Sequence, residues 1–237
     1  MDYAAAAAKA PPGWSHFTAR DFFERLPAAV RSHELARIPA ADLRSIDEDD
    51  RAAEEQLVRA EFWTLVYHLE PERWDALSRA EPLSPDMIKL LPRVERALDV
   101  GAGSGRLTMH LSLRAEVVAA IEPALGLAAM LRDRMPGHVH TVAGWAETLP
   151  VRDGWSQLTA ACGAFGPDPV VLGELARVTG TGGVIALVNP EEPEWFESNG
   201  WQLREVEPAA VKAHDRWIEE FFGPPDPPRV LVMKEVQ

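Results

Sequence analysis

The sequence predicts an α/β fold in which a parallel sheet is covered by helices on both faces, with a helical region ahead of it. Three observations lead there. After Pro92, short apolar runs alternate with segments of helical spacing, the pattern of βαβ units. The stretch ALDVGAGSGRLTMHL, Ala97 to Leu111, sets three glycines between an apolar run and the start of a helix. From Trp14 to about Leu91, by contrast, apolar residues recur at helical intervals.

In order along the chain, residues 1–13 are alanine-rich, then carry Pro11, Pro12 and Gly13, and read as a flexible tail. Residues 14–91 form the helical region. Ser45 and Glu48 fit a capping box, and Asp47, Asp49 and Asp50 suit a helix N-terminus. Val58, Phe62, Leu65 and Leu69 continue at helical spacing until Pro71 interrupts them. Ser84 and Pro85 are an N-cap and first helical position for a short helix through Leu91. Residues 92–237 carry the sheet, with strands predicted at 97–100, 117–121, 139–142, 158–162 and 184–188. Leu127, Met130 and Leu131 mark one intervening helical face; Val171, Leu175 and Val178 mark another, entered through Asp168 and Pro169. Strands at 201–206 and 230–236 flank a helix over 209–222, which Gly223-Pro224-Pro225 ends.

A chain of 237 residues supports one domain with a sizeable core, or such a domain with a modest appendage. Its 24 Lys and Arg against 37 Asp and Glu leave a net charge of -13. That balance opposes the phosphate-binding surface on which nucleic-acid affinity rests, so DNA and duplex RNA are not expected partners. Cys162 is the only cysteine, which excludes an internal disulfide and a cysteine-built zinc site and suits a reducing interior. Asp2 stands where a signal peptide carries positive charge, and no apolar run approaches the roughly 20 residues of a membrane span. A cytoplasmic setting without membrane insertion is expected.

A strand ending in a glycine turn that feeds a helix leaves backbone N–H groups unpaired toward a polar or anionic ligand. Here Gly101, Gly103 and Gly105 give the spacing GxGxG, with Arg106 where the dinucleotide fingerprint carries its last glycine. Asp99 precedes the turn. Glu122, the acidic end of the next strand, lies 21 residues after Gly101 and suits a carboxylate accepting from both hydroxyls of a ribose. That acid does not separate NAD from other adenosine ligands. A phosphate-binding P-loop is rejected, because GK[ST] is missing.

LDVGAGSGR, then AIEP, then VAGWAETLPVRDG, then ELARVTGTGGVIALVNP, in that order, resemble the class I S-adenosylmethionine-dependent methyltransferases, especially the ubiquinone and menaquinone methyltransferase-like group. The resemblance runs from about Arg96 to Pro190. It implies a seven-stranded, mostly parallel, doubly wound sheet whose last strand inserts antiparallel between the fifth and sixth, with the helical N-terminal region as a lid. It also implies S-adenosylmethionine as cofactor. The turn of Gly101, Ala102, Gly103 and Gly105 would lie along the methionine part, with Asp99 near the amino group. Glu122, followed by Pro123, would bind the ribose, and Trp145, Ala146 and Glu147 would flank the adenine, the Ala146 N–H serving a ring nitrogen. Two departures stand out. Relatives often place an acid where Trp145 stands, and Trp145 suits stacking on the purine instead. The fourth strand reads Trp155-Ser156-Gln157-Leu158 where relatives often begin with an Asp after Phe or Tyr; Gly163, near its end, is retained as a place of close backbone approach.

Other residues invite function and mostly read as structure. His110 shares a helical face with Leu107 and Leu111, and Cys162 lies on an apolar strand; both are expected to pack. His138 and His140 have metal-like spacing without a third ligand nearby, so no metal is expected. Glu191, Glu192, Glu194 and Glu197 make a solvated face, and Trp195 and Phe196 pack the last two strands. His68, in the helical region, is the candidate general base. The expected activity is methyl transfer from S-adenosylmethionine to a small-molecule acceptor by in-line displacement. Two alternatives stay open: an NAD-dependent oxidoreductase, and a cofactor-binding module without turnover.

Overall fold

The structure, a computed structural model, describes residues 2–237. Helices α1 (Tyr3–Ala8), α2 (Ala28–Leu35), α3 (Ala40–Asp47), α4 (Arg51–Ala60), α5 (Phe62–Leu69), α6 (Pro71–Ala80) and α7 (Pro85–Leu90) come first. Then follow β1 (Val94–Val100), α8 (Thr108–Leu111), β2 (Ala115–Ile121), α9 (Leu125–Arg134), β3 (Val139–Val142) and β4 (Ser156–Cys162). The chain ends with α10 (Pro169–Val178), β5 (Thr179–Val188), α11 (Pro193–Ser198), β6 (Gln202–Glu205), α12 (Arg216–Phe222) and β7 (Val230–Glu235).

Two compact units result. One holds the residues up to Leu77 together with His214–Pro225; the other holds Ser78–Ala213 and Asp226–Gln237. The division therefore falls inside α6 and differs from the expected boundary after residue 91. Because Met87 and Leu91 are buried in the same cluster as Ala97 and Leu111, α7 belongs with the sheet.

The sheet has seven strands in the order β3-β2-β1-β4-β5-β7-β6. β1 pairs in parallel with β2 and β4, β2 with β3, and β4 with β5, whereas β7 runs antiparallel to both β5 and β6. This is the expected doubly wound α/β sheet with its last strand inserted antiparallel. Alternate residues of a strand point to opposite faces, and the two cores follow that alternation. Leu98 and Val100 join Leu175 of α10 and Phe196 of α11 on one face. Ala97 joins Leu107, Leu111 and Met87 on the other. Strands covered on both faces read as continuous apolar runs, which is why β1, β2 and β4 were visible in the sequence. Within β4 and β5, polar atoms are paired internally: Thr159 Oγ1 lies 2.6 Å from the hydroxyls of both Ser156 and Thr179, and the Thr179 hydroxyl donates to the Leu175 carbonyl at 2.6 Å.

In the helical unit, Phe62 is fully buried, its ring against those of Phe17, Phe221 and Phe222. The unit departs from expectation at its start. Residues 3–8 form α1 rather than a tail: Asp2 caps it by accepting from the Ala5 N–H at 2.6 Å, and Tyr3 and Ala7 bury where α1 packs on α4. Alanine's high helix propensity, read as low complexity, is the reason. The capping box is also corrected. Ser45 lies inside α3 with its hydroxyl bonded to the Ala41 carbonyl, while Asp50 caps the next helix by accepting from Ala52 N–H at 2.9 Å.

Two elements of the sheet unit's half of the chain have other limits than predicted. β5 begins at Thr179, not 184, because a register irregularity opposite Ser156 and Leu158 lets the Gly180–Gly183 stretch stay in the sheet. The helix expected over 209–222 begins at Arg216, since the Lys212 N–H is taken by the Ala80 carbonyl at 3.0 Å rather than by a helical carbonyl.

Candidate functional site

In an open parallel sheet the ligand crevice lies beyond the carboxyl ends of the strands. The structure brings most of the singled-out residues to that edge of the sheet unit. Asp99 is the last residue but one of β1, Gly101, Ala102, Gly103 and Gly105 form the turn after it, Glu122 and Pro123 follow β2, Trp145, Ala146 and Glu147 follow β3, and Gly163 follows β4. His68 is in α5, in the helical unit.

The turn needs its glycines. Gly101 has φ +70° and Gly103 has φ +56°, and a Cβ on Gly101 would stand 3.1 Å from the Ala164 Cβ. One expectation is corrected here. The N–H groups of the turn are engaged within the protein: Gly101 and Ala102 both donate to the Ile121 carbonyl at 3.0 Å, Gly105 donates to Ala102, and Gly103 donates to Glu122 Oε2 at 2.7 Å. The helix that follows, α8, has only 4 residues. What the turn presents to a ligand is therefore carboxylate and shape rather than a row of N–H donors.

Glu122 is 5 % exposed. Its other oxygen accepts from the Ala124 N–H at 2.8 Å, Pro123 having no N–H to give. Burial raises its pKa, and the two N–H bonds oppose that rise. A carboxylate has about four acceptor positions, so capacity remains for a pair of hydroxyls.

Asp99 is fully buried. The Thr108 hydroxyl donates to its Oδ2 at 2.5 Å, while Oδ1 has no partner among the described residues. Burial pushes its pKa up to about 7, with the Glu122 charge adding to the rise and the Thr108 bonds and Arg106 opposing it. A buried acceptor without a donor is costly, and a ligand's hydrogen-bond donor at Oδ1 would satisfy it.

After β3, Thr148 N–H returns to the Trp145 carbonyl at 3.3 Å and closes a turn that carries Ala146 and Glu147, all three residues 145–147 half-buried. Gly144, not singled out in the sequence, makes that turn possible: a Cβ there would stand 2.9 Å from Pro150 Cδ and 3.1 Å from Ile121 Cγ2. Thr108 also went unnoticed, since its hydroxyl reaches back nine residues to Asp99 with no sequence pattern to mark it. Among the histidines, burial alone lowers His68 to about 4, and His110 is lowered chiefly by burial. The His138 ring bonds the Ser112 carbonyl at 3.0 Å.

No family model matches the chain. Over 102 residues it is 36% identical to uncharacterized methyltransferases of Mycobacterium tuberculosis and Mycobacterium bovis, a match covering 42% of this chain and 42% of each relative. The chain thus spans about two fifths of the length of the curated relatives it matches. Among solved structures, an S-adenosylmethionine-dependent methyltransferase from Aquifex aeolicus aligns with a TM-score of 0.52 at 18% identity, covering 71% of this chain and 97% of that one. The chain has the class I methyltransferase fold. Among the described residues no helix is long and apolar enough to cross a membrane.

Proposed function

We propose that the chain is an S-adenosylmethionine-dependent methyltransferase acting on a small-molecule acceptor in the cytoplasm. The observation that carries the proposal is the orphaned, buried Oδ1 of Asp99 beside a glycine turn that Glu122 closes. Asp99 would take the ammonium of the methionine part and Glu122 the ribose hydroxyls. The turn of Gly101, Ala102, Gly103 and Gly105 would lie along the methionine chain, and Trp145, Ala146 and Glu147 would flank the adenine. When bound, the cofactor supplies an electrophilic methyl group on a sulfonium centre. The protein's work is then to hold a nucleophile in line and exclude water. His68, neutral at pH 7 with its pKa lowered to about 4, is a weak base. The order of motifs also supports placement near the ubiquinone and menaquinone methyltransferase-like group, and a role for residues 14–91 in acceptor binding.

A dinucleotide reading loses ground, because pyrophosphate is held by free N–H groups of such a turn, and four of those here are spent internally. Calorimetric titration with S-adenosylhomocysteine tests the proposal. Wild-type protein is expected to bind, and Glu122→Ala or Gly103→Val to weaken binding sharply, the latter because Val does not tolerate positive φ. Folded wild-type protein that binds NAD but not S-adenosylhomocysteine overturns it. Methylated product from a metabolite panel separates an enzyme from a cofactor-binding module.

A further inference from the structure

Within the helical unit, His16, His33 and His214 each hydrogen-bond a glutamate. His33 and His214 reach near neighbours in the chain, Glu34 and Glu219, and make further contacts. His16 instead meets Glu70 across 54 positions, with 2.6 Å between Nε2 and Oε1. His16 ends a short 3₁₀ turn, Pro12–His16, and Glu70 joins α5 to α6.

Because a carboxylate only accepts, Nε2 carries the proton, and Nδ1 of the neutral ring keeps its lone pair. Nδ1 has no hydrogen-bond partner among the described residues. The two exposures differ in the same sense: the His16 side chain is 45% exposed and that of Glu70 18%. The rings of Phe17 and Phe221 stand edge-to-face with the imidazole, their centroids 5.2 and 5.4 Å away, and fix its plane. Glu70 is held in turn, since its other oxygen pairs with Arg73, whose guanidinium lies 4.5 Å from the Phe221 centroid. An imidazole oriented by a carboxylate, with its second nitrogen open, has the build of a general base. His68 lacks that build: burial alone shifts it, and no hydrogen bond from a described residue orients its ring.

We propose that His16 is the general base of the methyl transfer and Glu70 its positioning residue, which makes the acceptor a hydroxyl compound that reacts as its oxyanion. The inference rests on the S-adenosylmethionine reading above. A hydroxyl oxygen is a weak nucleophile until its proton leaves. As the acceptor oxygen bonds to the methyl carbon, the carbon–sulfur electron pair stays on sulfur and the hydroxyl proton passes to Nδ1. The products are a methyl ether, S-adenosylhomocysteine and an imidazolium that Glu70 stabilises.

With aromatic rings beside the imidazole, phenols are suitable probes. The test supplies the full chain with S-adenosylmethionine and either phenol or 4-nitrophenol in weakly alkaline buffer, where 4-nitrophenol is ionised without help, and measures the methyl ethers by mass spectrometry. Wild-type protein is expected to methylate both. His16→Ala is expected to lose about 100-fold or more on phenol, the scale of general-base catalysis, and far less on 4-nitrophenol. Added imidazole should restore part of the phenol rate. His16→Gln, which keeps a donor for Glu70, gives the same contrast if His16→Ala does not fold. Glu70→Gln should show a weaker form of it, which a merely structural tie would not produce. Equal losses on both phenols in a folded His16 variant overturn the inference and leave His16 as a tether of the 3₁₀ turn. Wild-type protein that methylates neither phenol yet binds S-adenosylhomocysteine by calorimetry overturns the inference alone, and protein that does not bind it overturns the cofactor reading as well.

Discussion

The Glu122 carboxylate accepts the Gly103 N–H at 2.7 Å with one oxygen and the Ala124 N–H at 2.8 Å with the other. One buried side chain thereby ties the turn after β1 to the residues after β2. Glu122→Ala strands both donors, at a cost of about 1–3 kcal/mol each when a buried group is left unpaired. Calorimetric unfolding should show a clear drop in Tm for Glu122→Ala and a smaller one for Glu122→Gln, which keeps one acceptor. Equal Tm values for wild type and Glu122→Ala would mean the carboxylate does not brace the turn.

Asp99 makes a second prediction, in pH. Its folded pKa is pushed up to about 7 from 3.8, mainly by burial. Between those values the folded state holds a proton that the unfolded state has lost, so stability falls as pH rises from about 4 to about 7. An ammonium ligand favours the ionised form, so cofactor affinity should rise with pH over the same window, by up to about tenfold per unit. Asp99→Asn should flatten both trends. Denaturant titrations and calorimetry from pH 5 to 8 check this, and a pH-independent cofactor affinity in the wild type contradicts it.

What was legible in the sequence followed from local pattern. β1, β2 and β4 are apolar runs, and Asp99, Glu122 and Gly163 sit at strand ends, where a glycine or an acid breaks the run. Residues that depend on chain reversal were not legible. Thr108 reaches Asp99, and Glu81 reaches Arg106 across 25 positions, because the fold returns the chain to them. α1 is not legible because alanine favours a helix, yet one of six residues persists only where Tyr3 and Ala7 have α4 to bury against. The internal pairing of the turn's N–H groups is not legible for a similar reason: three of the four donate to Ile121 and Glu122 at the end of the next strand.

Phe196 and Trp195 are neighbours with different roles. Phe196 is fully buried in the core with Trp201, their centroids 5.1 Å apart, whereas Trp195 is 38% exposed. Phe196→Ala should destabilise by about 3–5 kcal/mol, the range for deleting a buried aromatic ring. Trp195→Ala should stay nearer the cost of a surface change, within about 1 kcal/mol. Urea unfolding of the two variants checks the contrast, and comparable losses would place both rings in the core.

His68 supplies the last prediction, with the opposite sign to Asp99. Burial lowers its pKa from 6.5 to about 4, so the folded state keeps it neutral where the unfolded state takes up a proton. Stability is therefore lost as pH falls from about 6.5 toward 4. His68→Leu removes a group that must give up its proton to fold in that window, and it should flatten the acid side of the stability profile. At pH 7.5, where both states are neutral, the same variant should show little of this pH-linked gain. Urea midpoints for wild type and His68→Leu between pH 4 and 7.5 measure the difference. Parallel profiles would show that His68 titrates alike folded and unfolded, and that its ring is better hydrated than its surroundings in α5 imply.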